Sequence, residues 1–252
     1  DHLVISELTR KDKVSLAELW HRDGLSAEAF VSHWWGQDFG EVCQSIYEVF
    51  LNCSSRMHAG LPQHELDLRV RGVPFWMSAF SSNRWNLSRE LGDAFSSSLF
   101  NAVLESASTK QLVLCVDTSA FVLQRAWCCT EFVLAHNLRK DFLFATRFGS
   151  LHHVAAETIP YSLLVSHLAL SLESIDIRNA VTSCEQDFVM LTEYAKENSM
   201  DEFNRVLRQS FGEVLLPLAA RAGDVSAVAV LLEKRASPDA CDWRGVHALT
   251  HA

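Results

Sequence analysis

The spacing of apolar residues changes several times along the chain, and each change marks an element. From Asp38 to Leu51 the apolar residues Phe39, Val42, Cys43, Ile46, Val49 and Phe50 recur every three or four positions, which sets them on one face of a helix. Just before it, Ala29-Phe30-Val31-Ser32 is a short apolar run ending in a polar turn, the pattern of a buried strand. The alternation repeats downstream: Phe75 to Phe80 reads as a second buried strand, Ser81 to Gly92 as a loop, and Leu99 to Ala107 as a helix. Gln111 to Val116 is the most strand-like run and ends at Asp117, Arg125 to Asn137 is helical by pattern, and Asp141 to Thr146 is a fourth strand. Leu168 to Ile177 is the candidate for a fifth strand, residues 14–21 form a short amphipathic helix, and Ser183 to Phe211 has helical periodicity with a break near Asn198. Strands alternating with helices predict an α/β domain whose central parallel sheet is covered on both faces.

The last forty residues have a different grain. Leu218 to Val225, Val228 to Leu232 and the turn from Ala236 to Gly245 resemble the ankyrin repeat, a β-turn plus two antiparallel helices with a period of about 33 residues. Arg235 stands where that family usually has a glycine ending the second helix, and His247-Ala248-Leu249-Thr250 is a degenerate start of a next repeat. One repeat cannot bury its own apolar face, so the array is expected to continue past Ala252.

Composition narrows the classes. At 252 residues, 48% hydrophobic and 21% charged, the chain suits one domain of about 200 residues plus an appendage. Every apolar stretch is broken well short of the ~18 residues a membrane span needs, so no membrane role is expected. The 22 basic and 31 acidic residues give a net charge of −9, which offers no electrostatic reason to expect nucleic acid as a partner. Seven cysteines, an odd number with one adjacent pair, suit reduced thiols and a cytoplasmic setting better than a disulfide framework. The chain begins at Asp1 without a signal-peptide pattern and is expected to be a piece of something longer.

The most specific signal is Ser119 to Leu134, SAFVLQRAWCCTEFVL, which follows a strand and opens a helix. It resembles the Toll/interleukin-1 receptor (TIR) domain, in which a serine-containing loop leads into a Trp-Cys-x-x-Glu motif on a helix, here Trp127-Cys128-Cys129-Thr130-Glu131. Ala29 to His33 matches that family's first strand and loop, and Leu99 to Ser106 matches the helix before its third strand. The paired tryptophans of Ser32-His33-Trp34-Trp35-Gly36 and the long polar insertion after the first helix depart from the family pattern, so the chain resembles a divergent TIR branch fused to ankyrin repeats. The resemblance implies a flavodoxin-like three-layer sandwich over residues 26–180, preceded by a helical extension (1–25) and followed by a connecting helix (181–212) and a truncated ankyrin array (213–252).

It also implies an activity. Enzymatic TIR domains cleave the nicotinamide–ribose bond of NAD+, as hydrolases or cyclases, and the glutamate of the motif is their catalytic residue, here Glu131. NAD+ is then substrate, with no separate cofactor. The chemistry is sound: departing nicotinamide leaves an oxocarbenium-like ribose, and a fixed carboxylate favours that developing charge. Trp34, Trp35 and Trp127 are the aromatic platforms expected to orient a ring, and Ser32, His33 and Ser119, beside strand ends, complete the expected substrate-binding set. Trp127 precedes Glu131 by one helical turn, so both can face one cleft at the carboxyl ends of the strands.

Other readings of the same residues are structural or of another class. Glu131 can be a solvated helix residue and the tryptophans core. Cys128 and Cys129 with His136 lack the context of a nucleophile–base pair, and His152 and His153 with His33 and Cys128 lack zinc-site spacing, so no metal is expected. There is no glycine-rich phosphate loop. Asp117 can contact a ribose or simply form a turn. The rival function is a non-enzymatic signalling scaffold that self-associates through TIR surfaces and holds a protein partner on its ankyrin repeats.

Overall fold

The computed structural model describes residues 2–151, 159–197, 199–242 and 245–251. Helices α1 (His2–Thr9) and α2 (Leu16–Trp20) precede strand β1 (Ala29–Ser32), and α3 (Phe39–Met57) and α4 (Gln63–Arg71) lead to β2 (Phe75–Met77). Short helices α5 (Ser78–Ser81) and α6 (Leu87–Leu91) and then α7 (Leu99–Glu105) connect β2 to β3 (Gln111–Cys115). Helix α8 (Ala126–Asn137) joins β3 to β4 (Asp141–Thr146), and β5 (Gly149–Ser150) folds straight back on it. Among the described residues that follow, the α-helices are α9 (Ile159–Ser171), α10 (Glu185–Glu197), α11 (Met200–Arg221), α12 (Val225–Glu233) and α13 (Ala248–His251).

The sheet has the order β2-β1-β3-β4-β5, parallel throughout except for β5, so the chain is an α/β protein with a mostly parallel five-stranded sheet. Phe30 sits in register with Trp76 on one side and Leu112 on the other, and Leu112 with Phe142. Alternate strand residues enter opposite cores, as the two-residue period requires. Phe30, Leu112, Leu114 and Phe144 pack with α7, α8 and α11, whereas Ala29, Val31, Val113, Cys115 and Ala145 pack against Val42, Ile46, Val49 and Phe50 of α3. Burial on both faces is why these strands read as continuous apolar runs.

Several expectations change. The run from Leu168 to Ile177 is not a strand: Leu164, Val165, Leu168, Ala169 and Leu172 are buried at helical spacing along α9 and its end, and the fifth strand is the antiparallel Gly149–Ser150. The strand at Phe75 stops at Met77, where Ser78 opens a helical turn, and the loop that follows contains α6. The polar stretch after Leu51 is the end of α3 and all of α4. His152 and His153 lie outside the described residues.

The periodic stretch from Ser183 forms two helices broken between Glu197 and Met200, and α11 runs without interruption through the expected seam at 212–213. Phe211 of α11 stacks on Phe132 of α8 at 3.9 Å between ring centroids and lies 5.4 Å from Phe144 of β4. That core continues through Leu215, Leu231 and Ala248, so the C-terminal helices share one hydrophobic interior with the sheet. No helix among the described residues is long and apolar enough to cross a membrane.

Candidate functional site

In this strand order the chain leaves β1 toward β2 on one side and returns to β3 on the other, which opens a crevice beyond the carboxyl ends of β1 and β3. A cavity of about 210 Å³ lies on the β2 side of that crevice, at the carboxyl ends of β1 and β2, lined by Ser32, His33, Trp34, Trp35, Trp76, Phe100, Arg125, Trp127, Cys128, Glu131 and Asp187 among others. It is smaller than the ~300–1,000 Å³ typical of sites that enclose a drug-sized ligand.

Glu131 is brought in by α8, one turn beyond Trp127, and is only 4% exposed. Ser32, the last residue of β1, donates its hydroxyl to Glu131 Oε2 at 2.5 Å. Burial pushes the Glu131 carboxyl up from 4.5 to about 8, and the Ser32 hydrogen bond opposes this only in part. At neutral pH the group therefore holds its proton in the free protein. His33, half-buried, is pushed down to about 4 by desolvation and is neutral there.

The aromatic walls are individually seated. Trp34 donates Nε1–H to Asp117 Oδ2 at 2.7 Å and meets Phe121 edge-on at 4.9 Å. Its ring lies over Gly36, where a Cβ would sit 1.8 Å from a ring carbon, so the glycine is a requirement of the tryptophan. Trp35, 46% exposed, donates to Ser78 Oγ at 3.2 Å and carries the Arg84 guanidinium 5.0 Å above its ring. Trp76 stacks on Phe30 and meets Phe100 edge-on, while Trp127 lies 4.5 Å from Phe100 and donates Nε1–H to Asp187 Oδ2 at 2.9 Å.

Of the residues singled out from sequence, Glu131, Trp127, Trp34, Trp35, Ser32 and His33 line this one cavity. Ser119 does not: its hydroxyl and amide both bond Asp117 Oδ1, at 2.7 and 3.0 Å. Asp117 is thus a turn former that also anchors Trp34. The cysteine–histidine pairing is not made either. Cys129 donates to the Leu123 carbonyl, burial raises the Cys128 and Cys129 thiols far above physiological pH, and His136 Nδ1 lies 3.0 Å from Ser210 Oγ. Among the described residues no group of three or more His, Cys, Asp or Glu side chains is placed to hold a metal ion.

Sequence reasoning missed Trp76, Phe100, Arg125, Ser183 and Asp187. Trp76 and Phe100 read as ordinary core, and the last two lie on a segment with no local motif. Arg125 could have been found, since it is the only basic residue between the β3 turn and Glu131. Comparison of the chain with protein-family models, with curated proteins and with solved structures finds no match in any of the three.

Proposed function

We propose that this chain is a divergent TIR-like domain of flavodoxin-like architecture, fused to ankyrin repeats, that cleaves the nicotinamide–ribose bond of NAD+ with Glu131 as the catalytic carboxylate. The observation that carries this reading is a buried carboxyl in an aromatic-walled cavity at the carboxyl ends of β1 and β2, one turn after Trp127. A cavity of about 210 Å³ walled by aromatic rings suits the nicotinamide end of a dinucleotide.

The nicotinamide of NAD+ carries a positive charge, and an opposite charge within a few Å favours the ionised carboxyl. Substrate entry then favours release of the Glu131 proton to solvent water, and the Ser32 hydroxyl donates to the resulting carboxylate. Nicotinamide leaves as a neutral base with the C–N bonding pair, positive charge develops on the ribose, and Glu131 offsets it. Water, or the substrate's own adenine in a cyclase, adds to the ribose carbon and gives up a proton to Glu131.

Incubation with NAD+ at high protein concentration, following free nicotinamide by chromatography, tests this. Wild type should release nicotinamide and Glu131→Gln should not. Release that persists in the variant, or none from crowded wild type, overturns the proposal.

A second reading, protein recognition by the C-terminal repeat, is favoured by apolar side chains left bare there: Val225, Leu232 and Leu249 are 80%, 42% and 73% exposed. In this reading the chain is a non-enzymatic scaffold that also self-associates through its TIR surfaces, so concentration-dependent assembly without nucleotide and without NAD+ loss is its signature.

A further inference from the structure

The cavity is not built by the sheet and its crossover helices alone. Beyond residue 180 the chain runs back along the start of α8: Val181 N–H donates to the Gln124 carbonyl at 2.7 Å, and Ala126 N–H donates to the Val181 carbonyl at 3.1 Å. This backbone bridge lays residues 181–187 across the cavity's edge, where Ser183, Cys184 and Asp187 join its lining. Two side-chain bonds then tie that segment to α8 and its entry, Arg125 Nη2–H to Ser183 Oγ at 3.0 Å and Trp127 Nε1–H to Asp187 Oδ2 at 2.9 Å.

The indole bond matters most. Trp127 packs against Phe100 at 4.5 Å and Phe95 at 5.9 Å, both rings tilted to it, and such apolar contacts are not directional enough to fix the indole in its plane. A directed hydrogen bond from the ring nitrogen removes that freedom. Asp187 lies in the first turn of α10, which packs against α8 and α11, so the acceptor is supplied by a helix fixed in the C-terminal core.

We propose that residues 181–187 are a wall of the ligand cavity and that Asp187 is a positioning residue, holding the Trp127 indole in the plane in which it meets a bound ring. The inference rests on reading the cavity as the substrate site. Its structural half does not depend on the chemistry done there. It places the limit of the functional unit inside the C-terminal helical region, beyond the expected boundary at 180.

The test uses the full chain as wild type, D187A and D187N, the last keeping a carbonyl acceptor for the indole. The ring N–H signal of Trp127, identified by its loss in Trp127→Phe, is followed by nitrogen–proton correlation spectroscopy. D187A should move that signal and speed its exchange with water about tenfold, as loss of one hydrogen bond implies, and D187N should restore both. In the nicotinamide-release assay D187A should raise KM about tenfold with kcat within about twofold, again restored by D187N. An unmoved indole signal in D187A overturns the inference, as does equal impairment in D187N and D187A, since charge rather than the hydrogen bond would then matter. Absence of nicotinamide release from wild type would overturn the proposed cleavage instead and leave the positioning role decided by the indole signal.

Discussion

Replacing Glu131 by glutamine should make the protein more stable, and only above mildly acidic pH. The carboxyl is raised from 4.5 to about 8 because the folded protein buries it with a single hydroxyl donor, Ser32. Below about pH 4 both folded and unfolded chains hold the proton, so folding is indifferent to its titration there. Between 4.5 and 8 the unfolded chain ionises while the folded one does not, and the native state loses about 1.4 kcal/mol of stability per pH unit relative to a neutral side chain. The deficit is roughly 3 kcal/mol at pH 7 and levels off at roughly 5 kcal/mol above pH 8. Glutamine has the same shape, keeps a carbonyl for the Ser32 hydroxyl and never ionises. The assay is urea denaturation of wild type and E131Q at pH 4, 5.5, 7 and 8. Equal stability at pH 4 should open into an advantage for glutamine that corresponds to about 10 °C in Tm at pH 7. A constant difference across pH, or a glutamine variant that is less stable at pH 7, would falsify the reasoning and mean that the native carboxylate is ionised and compensated. A residue whose removal both stabilises the fold and abolishes turnover is retained for chemistry rather than packing.

If the ionised carboxylate is the working form, log kcat/KM for NAD+ cleavage should climb with pH and flatten near 8, the value of the free protein. Ser32→Ala removes the interaction that lowers Glu131, so the same limb should shift to higher pH. Gly36→Ala, which would set a methyl inside the Trp34 ring, should destabilise by about 1–3 kcal/mol in urea denaturation and weaken substrate binding as the tryptophan is displaced. Arg235 closes α12 with φ at +69° on an exposed site, so Arg235→Gly should raise stability by about 1 kcal/mol, and a loss instead would show that the arginine side chain has a role there. Phe211→Ala should cost about 3–5 kcal/mol and leave a single cooperative transition, because the Phe132–Phe211 stack joins the sheet to the C-terminal helices; separate transitions for the two parts would contradict the shared core.

Local chemistry alone determined much of this molecule. The runs at Ala29, Gln111 and Asp141 read as strands from their short, continuous apolar pattern, and the three- and four-residue spacing from Phe39 as helix α3. The one-turn interval from Trp127 to Glu131 already set both on one face of α8. Tertiary structure decided what no local pattern carries. The Leu168 run could serve a strand or a helix by hydrophobicity, and only packing against α11 and α12 chose the helix. Ser119 was near enough in sequence to join the site, yet its turn with Asp117 uses its hydroxyl. Asp187 lies sixty residues from Trp127 and meets it only because the chain after α9 returns to the start of α8. Most of all, the protonation state of Glu131 is a property of desolvation, which depends on every wall of the cavity closing around it and is written in no single segment of the chain.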